Sequence, residues 1–130
     1  MGKRKVPGED KIAESWVKDK IKDILVQYPA LHFWMPPASM YGVSGQHDFI
    51  ICHRSLCWTI EAKAGKNTPT DNQIVFANKV KAAGGLSVMV NEFTLYKAAR
   101  VAAYVEYVYR RYGVAALPYH EADDFNQWNN

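Results

Sequence analysis

The chain lacks the features that would place it in a membrane or in a zinc- or disulfide-stabilised fold. None of its apolar runs approaches the roughly 18 residues that a membrane span requires, so we expect no membrane partner. It has only two cysteines, Cys52 and Cys57, and no second Cys/His pair that would form a zinc knuckle. No apolar signal-peptide core follows the basic residues Lys3, Arg4 and Lys5, which predicts a cytoplasmic protein with free, at least half-buried thiols.

Length and composition predict one globular domain. The chain has 130 residues, of which 48% are hydrophobic and 22% charged, a composition that is typical of a single packed core. We expect the domain to occupy residues 1–120, with a basic arm at 1–8, and residues 121–130 to form a flexible polar tail. That tail contains three acids and no base, so the remainder is more basic than the net charge of +3 indicates. A basic domain is compatible with a polyanionic partner.

Hydrophobic periodicity predicts an α/β fold. A helical pattern covers residues 11–27, and its apolar arc contains Ala13, Trp16, Val17, Ile21, Ile24, Leu25 and Tyr28. Apolar runs at 31–35, 49–52, 56–60 and 86–90 predict strands, and helices are expected at 68–81, capped by Thr68 with Asp71 at the capping-box position, and at 94–112. A helix between the last two strands implies a parallel crossover. The order α-β-β-β-α-β-α therefore predicts a central mixed four-stranded sheet flanked by helices.

Two carboxylates meet in the predicted hairpin. A symmetric turn at Arg54 and Ser55 would place Cys52 opposite Cys57 and Asp48 opposite Glu61, with Lys63 on the same face. Directly opposed residues have Cβ atoms about 4.5–5.5 Å apart, and like charges there are destabilising. The arrangement therefore favours a bound hard metal with oxygen ligands, such as Mg²⁺. The alternative is that both carboxylates are solvated charges on an exposed face.

Three further polar residues lie where they could join this site. Glu14 falls inside the apolar arc of the first helix, where it either reaches water at the edge or points toward Asp48. Gln73 begins the core-facing stripe of the next helix, as a boundary residue or as part of the site. Strand alternation points His47, next to Asp48, to the opposite face, so we expect a structural role for it.

The ordered set Glu14, Asp48, Glu61-Ala62-Lys63 and Gln73 resembles the core of the PD-(D/E)XK nucleases, and within them the small VRR-NUC domains. Gly45 before Asp48 and Gly84-Gly85 before the next strand also fit, and the resemblance covers roughly residues 9–92. One departure is His47, which stands where the family usually has a proline before its first aspartate. That proline shapes the backbone, so its absence weakens the motif more than the chemistry.

The resemblance implies a restriction-endonuclease-like core and metal-dependent hydrolysis of DNA phosphodiesters. By that analogy Asp48, Glu61 and the carbonyl of Ala62 hold Mg²⁺ or Mn²⁺, and Lys63 positions or deprotonates the attacking water. Glu14 binds a second ion or orders its waters, and Gln73 holds Lys63 or the phosphate. Stand-alone domains of this size in the family resemble phage and bacterial proteins that act as homodimers on branched DNA. The resemblance therefore implies a Holliday-junction resolvase-like activity.

Three other functions stay open from the sequence. The chain could be a nuclease for flaps, nicks or single strands, because shape selectivity depends on quaternary geometry. It could be a non-catalytic DNA-binding module on a nuclease fold, although the whole ordered set is present. The chain could also be an unrelated α/β adaptor protein, but only if Asp48 and Glu61 do not face each other.

Overall fold

The computed structural model describes residues 9–37 and 45–113. The predicted basic arm at 1–8, the tail at 121–130 and most of the loop that precedes Gly45 lie outside the described residues. The elements are α1 (Glu9–Leu25), β1 (Leu31–Trp34), β2 (Phe49–His53), β3 (Leu56–Ala62), α2 (Asp71–Ala82), β4 (Leu86–Val90) and α3 (Tyr96–Tyr112). This is the predicted α/β order, and no helix among the described residues is long and apolar enough to cross a membrane.

The four strands form one mixed sheet in the order β1-β2-β3-β4. The hairpin has the predicted register, because Cys52 pairs with Cys57 and Phe49 pairs with Ile60. Its turn residues Arg54 and Ser55 both have positive φ angles, 53° and 70°, as a tight two-residue hairpin turn requires. Beyond the turn, β3 and β4 pair in parallel, which confirms the crossover through α2.

The helices cover the two faces of the sheet unequally. α1 and α3 pack together on one face, over a continuous core that includes Trp58, Phe49 and Ile51. α2 covers the other face, where the buried apolar cluster consists of Ala77 and Met89 with Ile74 packed against it. This second face therefore has room for polar side chains.

Two surface features differ from expectation, and a third concerns the tyrosines of α3. Trp16 was expected in the core arc of α1 but is 47% exposed, because α1 buries a narrower stripe beneath it. Cys52 and Cys57 are free thiols, as predicted, but they are exposed rather than half-buried. The tyrosines of α3 at 96, 107 and 112 also face outward, since Ala98, Val101, Ala102, Val105 and Val108 form its buried side.

Candidate active site

Asp48 and Glu61 lie at the same end of the β2–β3 hairpin. Glu61 is a buried residue within β3, and Asp48 directly precedes β2, so the register Phe49–Ile60 continues to Asp48 opposite Glu61. The Oδ2 atom of Asp48 accepts a hydrogen bond of 2.9 Å from the backbone N–H of Ala62. This bond fixes the Asp48 carboxylate against β3, next to Glu61. The predicted pairing of the two carboxylates thus follows from the hairpin itself.

Lys18 links Asp48 to Glu14. Its Nζ atom is 3.4 Å from Asp48 Oδ1 and 3.7 Å from Glu14 Oε2. Burial lowers the pKa of Lys18, but the attraction of Asp48 and Glu14 outweighs it, so the pKa is raised and the ammonium stays charged. Glu14 and Asp48 thus share the Lys18 ammonium, and the Glu14 carboxylate is also partly exposed to water, so both alternatives for Glu14 apply in part. The half-buried Lys18 supplies a cation that the sequence analysis did not assign to the site.

Both described polar contacts of the Glu61 carboxylate are made by one of its two oxygens. Its Oε2 atom accepts a hydrogen bond of 2.9 Å from Gln73 Nε2 and lies 3.5 Å from Lys63 Nζ. Its Oε1 atom is buried and has no hydrogen-bond partner among the described residues. Burial, followed by the repulsion of Asp48, raises the pKa of Glu61 to about 8 despite the nearby Lys63. The second oxygen of this carboxylate is thus available for a ligand.

The first turn of α2 places Gln73 in the site. Thr70, rather than Thr68, is the N-cap, and Gln73, rather than Asp71, completes the capping box. The Gln73 backbone N–H donates to Thr70 Oγ1, and Gln73 Oε1 accepts from the Thr70 backbone N–H. Gln73 therefore contacts the cap with its amide oxygen and Glu61 with its amide nitrogen. Of the two roles that the resemblance implied for Gln73, holding Lys63 or holding the phosphate, neither appears among its described side-chain contacts, which are with Thr70 and Glu61.

His47 lies on the α2 side of the sheet, so the prediction from strand alternation is wrong. It precedes β2, where regular alternation has not yet begun, and its Nδ1 atom is 2.8 Å from Thr59 Oγ1. Its Nε2 atom is 2.9 Å from the carbonyl oxygen of Gln73, which can only accept. Burial lowers the pKa of His47 to about 4, so the ring is neutral at neutral pH.

These contacts fix the direction of a buried hydrogen-bond chain. The neutral ring of His47 must donate from Nε2 to Gln73, so its Nδ1 atom accepts from the hydroxyl of Thr59. Thr59 in turn lies 2.6 Å from Ser87 Oγ, which must then be the donor to Thr59. The chain connects α2 to β3 and β4 beneath the carboxylates. His47 thus has the structural role that we expected, although from the other face.

Gly45 allows α2 to approach the loop before Asp48. Its φ angle is +76°, and a Cβ atom there would lie 2.3 Å from the backbone carbonyl of Asn72. Any other residue would both strain the backbone and push away the first turn of α2. The predicted glycine before Asp48 therefore sets the position of Gln73.

The donor set fits a hard divalent ion held by few protein ligands. Within residues 9–37 and 45–113, no group of three or more His, Cys, Asp or Glu side chains is arranged to hold a metal. Asp48 and Glu61 nevertheless present carboxylate oxygens next to each other, and Glu61 Oε1 has no other described partner. Mg²⁺ is commonly bound by one or two carboxylates, together with waters and substrate phosphates. Glu14 acts on this pair indirectly, through its ion pair with Lys18. The backbone N–H of Ala62 acts on it by its hydrogen bond to Asp48.

Lys18 and Thr59 were missed by the sequence analysis. Lys18 is four residues after Glu14 and therefore lies on the same side of α1, a signal that could have identified it. Thr59 is two residues before Glu61 and shares its face of β3, but nothing in the sequence pairs it with His47.

The interpretation of the site rests on its geometry and chemistry. No protein-family model, no curated protein and no solved structure matches this chain. The resemblance to the PD-(D/E)XK nucleases therefore stays a prediction from the residues that carry it.

Proposed function

We propose that this chain is a metal-dependent endonuclease that hydrolyses DNA phosphodiester bonds on a restriction-endonuclease-like core. The observation that carries the proposal is the buried Glu61, which faces Asp48 and has one oxygen without a described partner. Burial and the neighbouring Asp48 carboxylate raise the pKa of Glu61 to about 8, so the site favours a cation that offsets the charge of Glu61. Burying Glu61 beside the partly buried Asp48 is costly for folding and is useful for binding a divalent ion.

Asp48 and Glu61 are the proposed ligands of Mg²⁺ or Mn²⁺. When bound, such an ion would polarise the scissile phosphate and lower the pKa of a coordinated water. The backbone N–H of Ala62 fixes the orientation of Asp48, and the side chain of Gln73 fixes that of Glu61. Both carboxylates are thus held in place before any ligand arrives, which reduces the reorganisation that binding requires.

Lys63 is the proposed catalytic base or charge-stabilising group. Its Nζ atom is 3.5 Å from Glu61 Oε2, so it lies beside the ion that Glu61 would hold. From that position it can orient or deprotonate the attacking water, or offset negative charge that develops on the phosphate. Lys18 lies on the other side, between Asp48 and Glu14, where a second metal ion would compete with its ammonium group for the two carboxylates, or a DNA phosphate would pair with that ammonium group.

The finer proposal is that a homodimer acts on branched DNA such as a four-way junction. A junction offers two symmetric cleavage points, and the described part of one chain has one pair of facing carboxylates, so a two-fold dimer supplies both incisions. The outward-facing tyrosines of α3 offer a surface for a second copy. Nucleases that select flaps, nicks or single strands differ from this proposal in assembly and substrate, not in chemistry.

The test is DNA cleavage by the whole chain with four-way, flap and linear substrates in Mg²⁺, Mn²⁺, Ca²⁺ or EDTA. Asp48→Asn should abolish cleavage, because a neutral amide does not offset the charge of a metal ion. Its oxygen can still accept the hydrogen bond from Ala62, so the local structure should be kept. Lys63→Ala should lose on the order of 10²-fold or more in rate, the scale of a general acid–base group, and should retain Mn²⁺ binding. Lys79→Ala, an exposed charge at the far end of α2, is the matched control and should cut normally.

Each outcome separates one part of the proposal. Wild-type cleavage by Asp48→Asn would show that the site is elsewhere. Tight DNA binding without cleavage in any metal would favour a non-catalytic DNA-binding module. Equal cleavage of linear and branched DNA by a monomer, as measured by light scattering, would leave a general nuclease in place of the junction-specific dimer.

A further inference from the structure

Phe93 is displayed to solvent in the turn after β4, whose neighbouring residues bond to the chain around Lys63. It is 76% exposed, more than any other large apolar side chain in the described part of the protein. It lies in the short connection between β4 and α3, three residues after Val90, whose carbonyl accepts a hydrogen bond of 2.9 Å from the backbone N–H of Lys63. Three residues of chain span about 11 Å at most, so Phe93 is near Lys63.

The backbone that displays Phe93 is held by a closed set of hydrogen bonds. The Phe93 backbone N–H donates to Asn91 Oδ1 at 2.8 Å, and the Asn91 backbone N–H donates to Thr94 Oγ1 at 2.8 Å. On the other side, the Glu92 carboxylate accepts from the backbone N–H of Gly65 at 3.0 and 3.1 Å, which ties this turn to the loop that follows Lys63. Phe93 is therefore exposed on a fixed support, in a defined position relative to Lys63.

The surroundings of Phe93 are aromatic and basic. Tyr96, three residues later, is 52% exposed, and the guanidinium of Arg100 lies 4.8 Å from the centre of its ring. The Lys63 loop and the start of α3 together contain the basic residues Lys63, Lys66, Lys97 and Arg100, against the single acid Glu92. Glu92 is already engaged by Gly65. Exposed aromatic rings within a basic surface are characteristic of single-stranded nucleic-acid binding, in which bases stack on the rings.

We propose that Phe93, with Tyr96 beside it, stacks against an unpaired or unstacked base at the branch point of the DNA substrate. The inference rests on the proposed nuclease function and narrows its substrate to DNA with a base face available next to the cut. A fully paired linear duplex has no such face within its length, because each base is covered by its neighbours. Phe93 would thus favour branched or splayed DNA over linear duplex.

The experiment compares Phe93→Ala, Phe93→Trp and Trp34→Ala in DNA binding with Ca²⁺. The DNA substrates are a splayed-arm duplex that carries 2-aminopurine at the branch point and a linear duplex of the same sequence. Phe93→Ala should bind the splayed arm on the order of 10-fold more weakly, the scale of one lost stacked base, and should leave the 2-aminopurine fluorescence unquenched. Its affinity for the linear duplex should be unchanged. Phe93→Trp should restore binding and quenching, and Trp34→Ala, an exposed aromatic on β1, should match the wild type.

Several results would overturn the stacking role. These are equal loss of affinity for both DNAs, wild-type quenching by Phe93→Ala, or a change of mass in light scattering that makes Phe93 a contact between two copies of the chain. Cleavage assays separate this inference from the proposed function. Normal cleavage with no Phe93 effect refutes the stacking role alone, whereas Phe93-dependent quenching without cleavage in any metal refutes the nuclease alone.

Discussion

The two faces of the sheet differ in what they bury. The face under α1 and α3 holds the large apolar side chains, and Trp58 is among those that are completely buried. The face under α2 buries Thr59, Ser87, Glu61 and His47 instead, with little apolar packing. Since the same strands supply both faces, alternation separates the strand residues, and His47 joins the α2 face from the segment before β2. One face provides the free energy of folding, and the other can therefore accept the cost of a buried carboxylate.

Each face also has one buried histidine, and the two histidines have different partners. His53 belongs to the apolar face, where its Nε2 atom is 2.7 Å from Glu106 and Arg54 donates two further hydrogen bonds to the same carboxylate. His47 has only neutral partners among the contacts described above, in Thr59 and the carbonyl of Gln73. A charged cluster thus closes the distal end of the apolar face, whereas a neutral chain supports the carboxylates. The difference indicates that charge on the α2 face is concentrated at Asp48, Glu61 and their lysines.

The largest expected effect is on the apolar face. Trp58→Ala should lower the free energy of unfolding by about 3–5 kcal/mol, because it removes the largest fully buried side chain and leaves a cavity. Urea titration monitored by circular dichroism measures the change. Val75→Ala, at a 49% exposed position on α2, is the control and should change stability by about 0.5 kcal/mol or less. If Trp58→Ala lowers the free energy of unfolding by less than about 1 kcal/mol, the apolar face is not the main source of stability.

A smaller effect is expected within the polar chain, and it should depend on position. Thr59→Val removes the hydroxyl that donates to the Nδ1 atom of the buried His47, which should cost about 1–3 kcal/mol. Ser87→Ala removes only the last donor of the chain and should cost about 0.5–1.5 kcal/mol. The same urea titration compares the two variants. If Ser87→Ala is the more damaging, the Thr59 hydroxyl is not the donor on which His47 depends.

The most gradual effect is the pH dependence that Glu61 confers on the metal-free protein. Its pKa is raised to about 8 in the folded state, and an unfolded chain has an ordinary carboxyl pKa near about 4.3. Between these values the folded state keeps a proton that the unfolded state has lost, so stability falls as pH rises. The loss is at most about 1.4 kcal/mol per pH unit.

The measurement belongs between about pH 6.5 and 8, in EDTA. Below this window His47 has the opposite effect, because its pKa is lowered from 6.5 to about 4 and stability rises with pH in that range. Glu61→Gln keeps the shape of the side chain without its titration, so its stability should be nearly constant across the window. Equal slopes for Glu61→Gln and the wild type would show that another group causes the dependence.

The sequence predicted those features that are encoded by local patterns. Alternation and the two-residue turn gave the hairpin register, and through it the meeting of Asp48 with Glu61. The limits of β4 were also predicted, because Gly84-Gly85 precedes a run of five apolar or small residues. The predicted cap was the wrong one of two nearby threonines, although a local pattern marks the right one. Thr70 is the cap because Gln73, three residues later, can return a hydrogen bond to it.

The features that were missed depend on contacts between distant parts of the chain. The spacing in α1 pairs Lys18 with Glu14, but Lys18 reaches Asp48 only because α1 passes the end of β2. His47 faces α2 because the chain has not yet entered the regular strand, so the rule of alternation does not apply to it. Such contacts are determined by the packing of whole elements. They become predictable only once the relative positions of α1, α2 and the sheet are known.

The double contact of Gln73 has a consequence for how the protein opens. Helices fray from their ends, and the first turn of α2 is held by the reciprocal bonds between Gln73 and Thr70. When that turn unwinds, Glu61 loses its amide donor and His47 loses the carbonyl that it binds. Hydrogen exchange at the backbone N–H of Gln73 therefore reports the same local unfolding event that releases the Glu61 carboxylate. A ligand that bridges Asp48 and Glu61 would slow exchange in α2 without touching it.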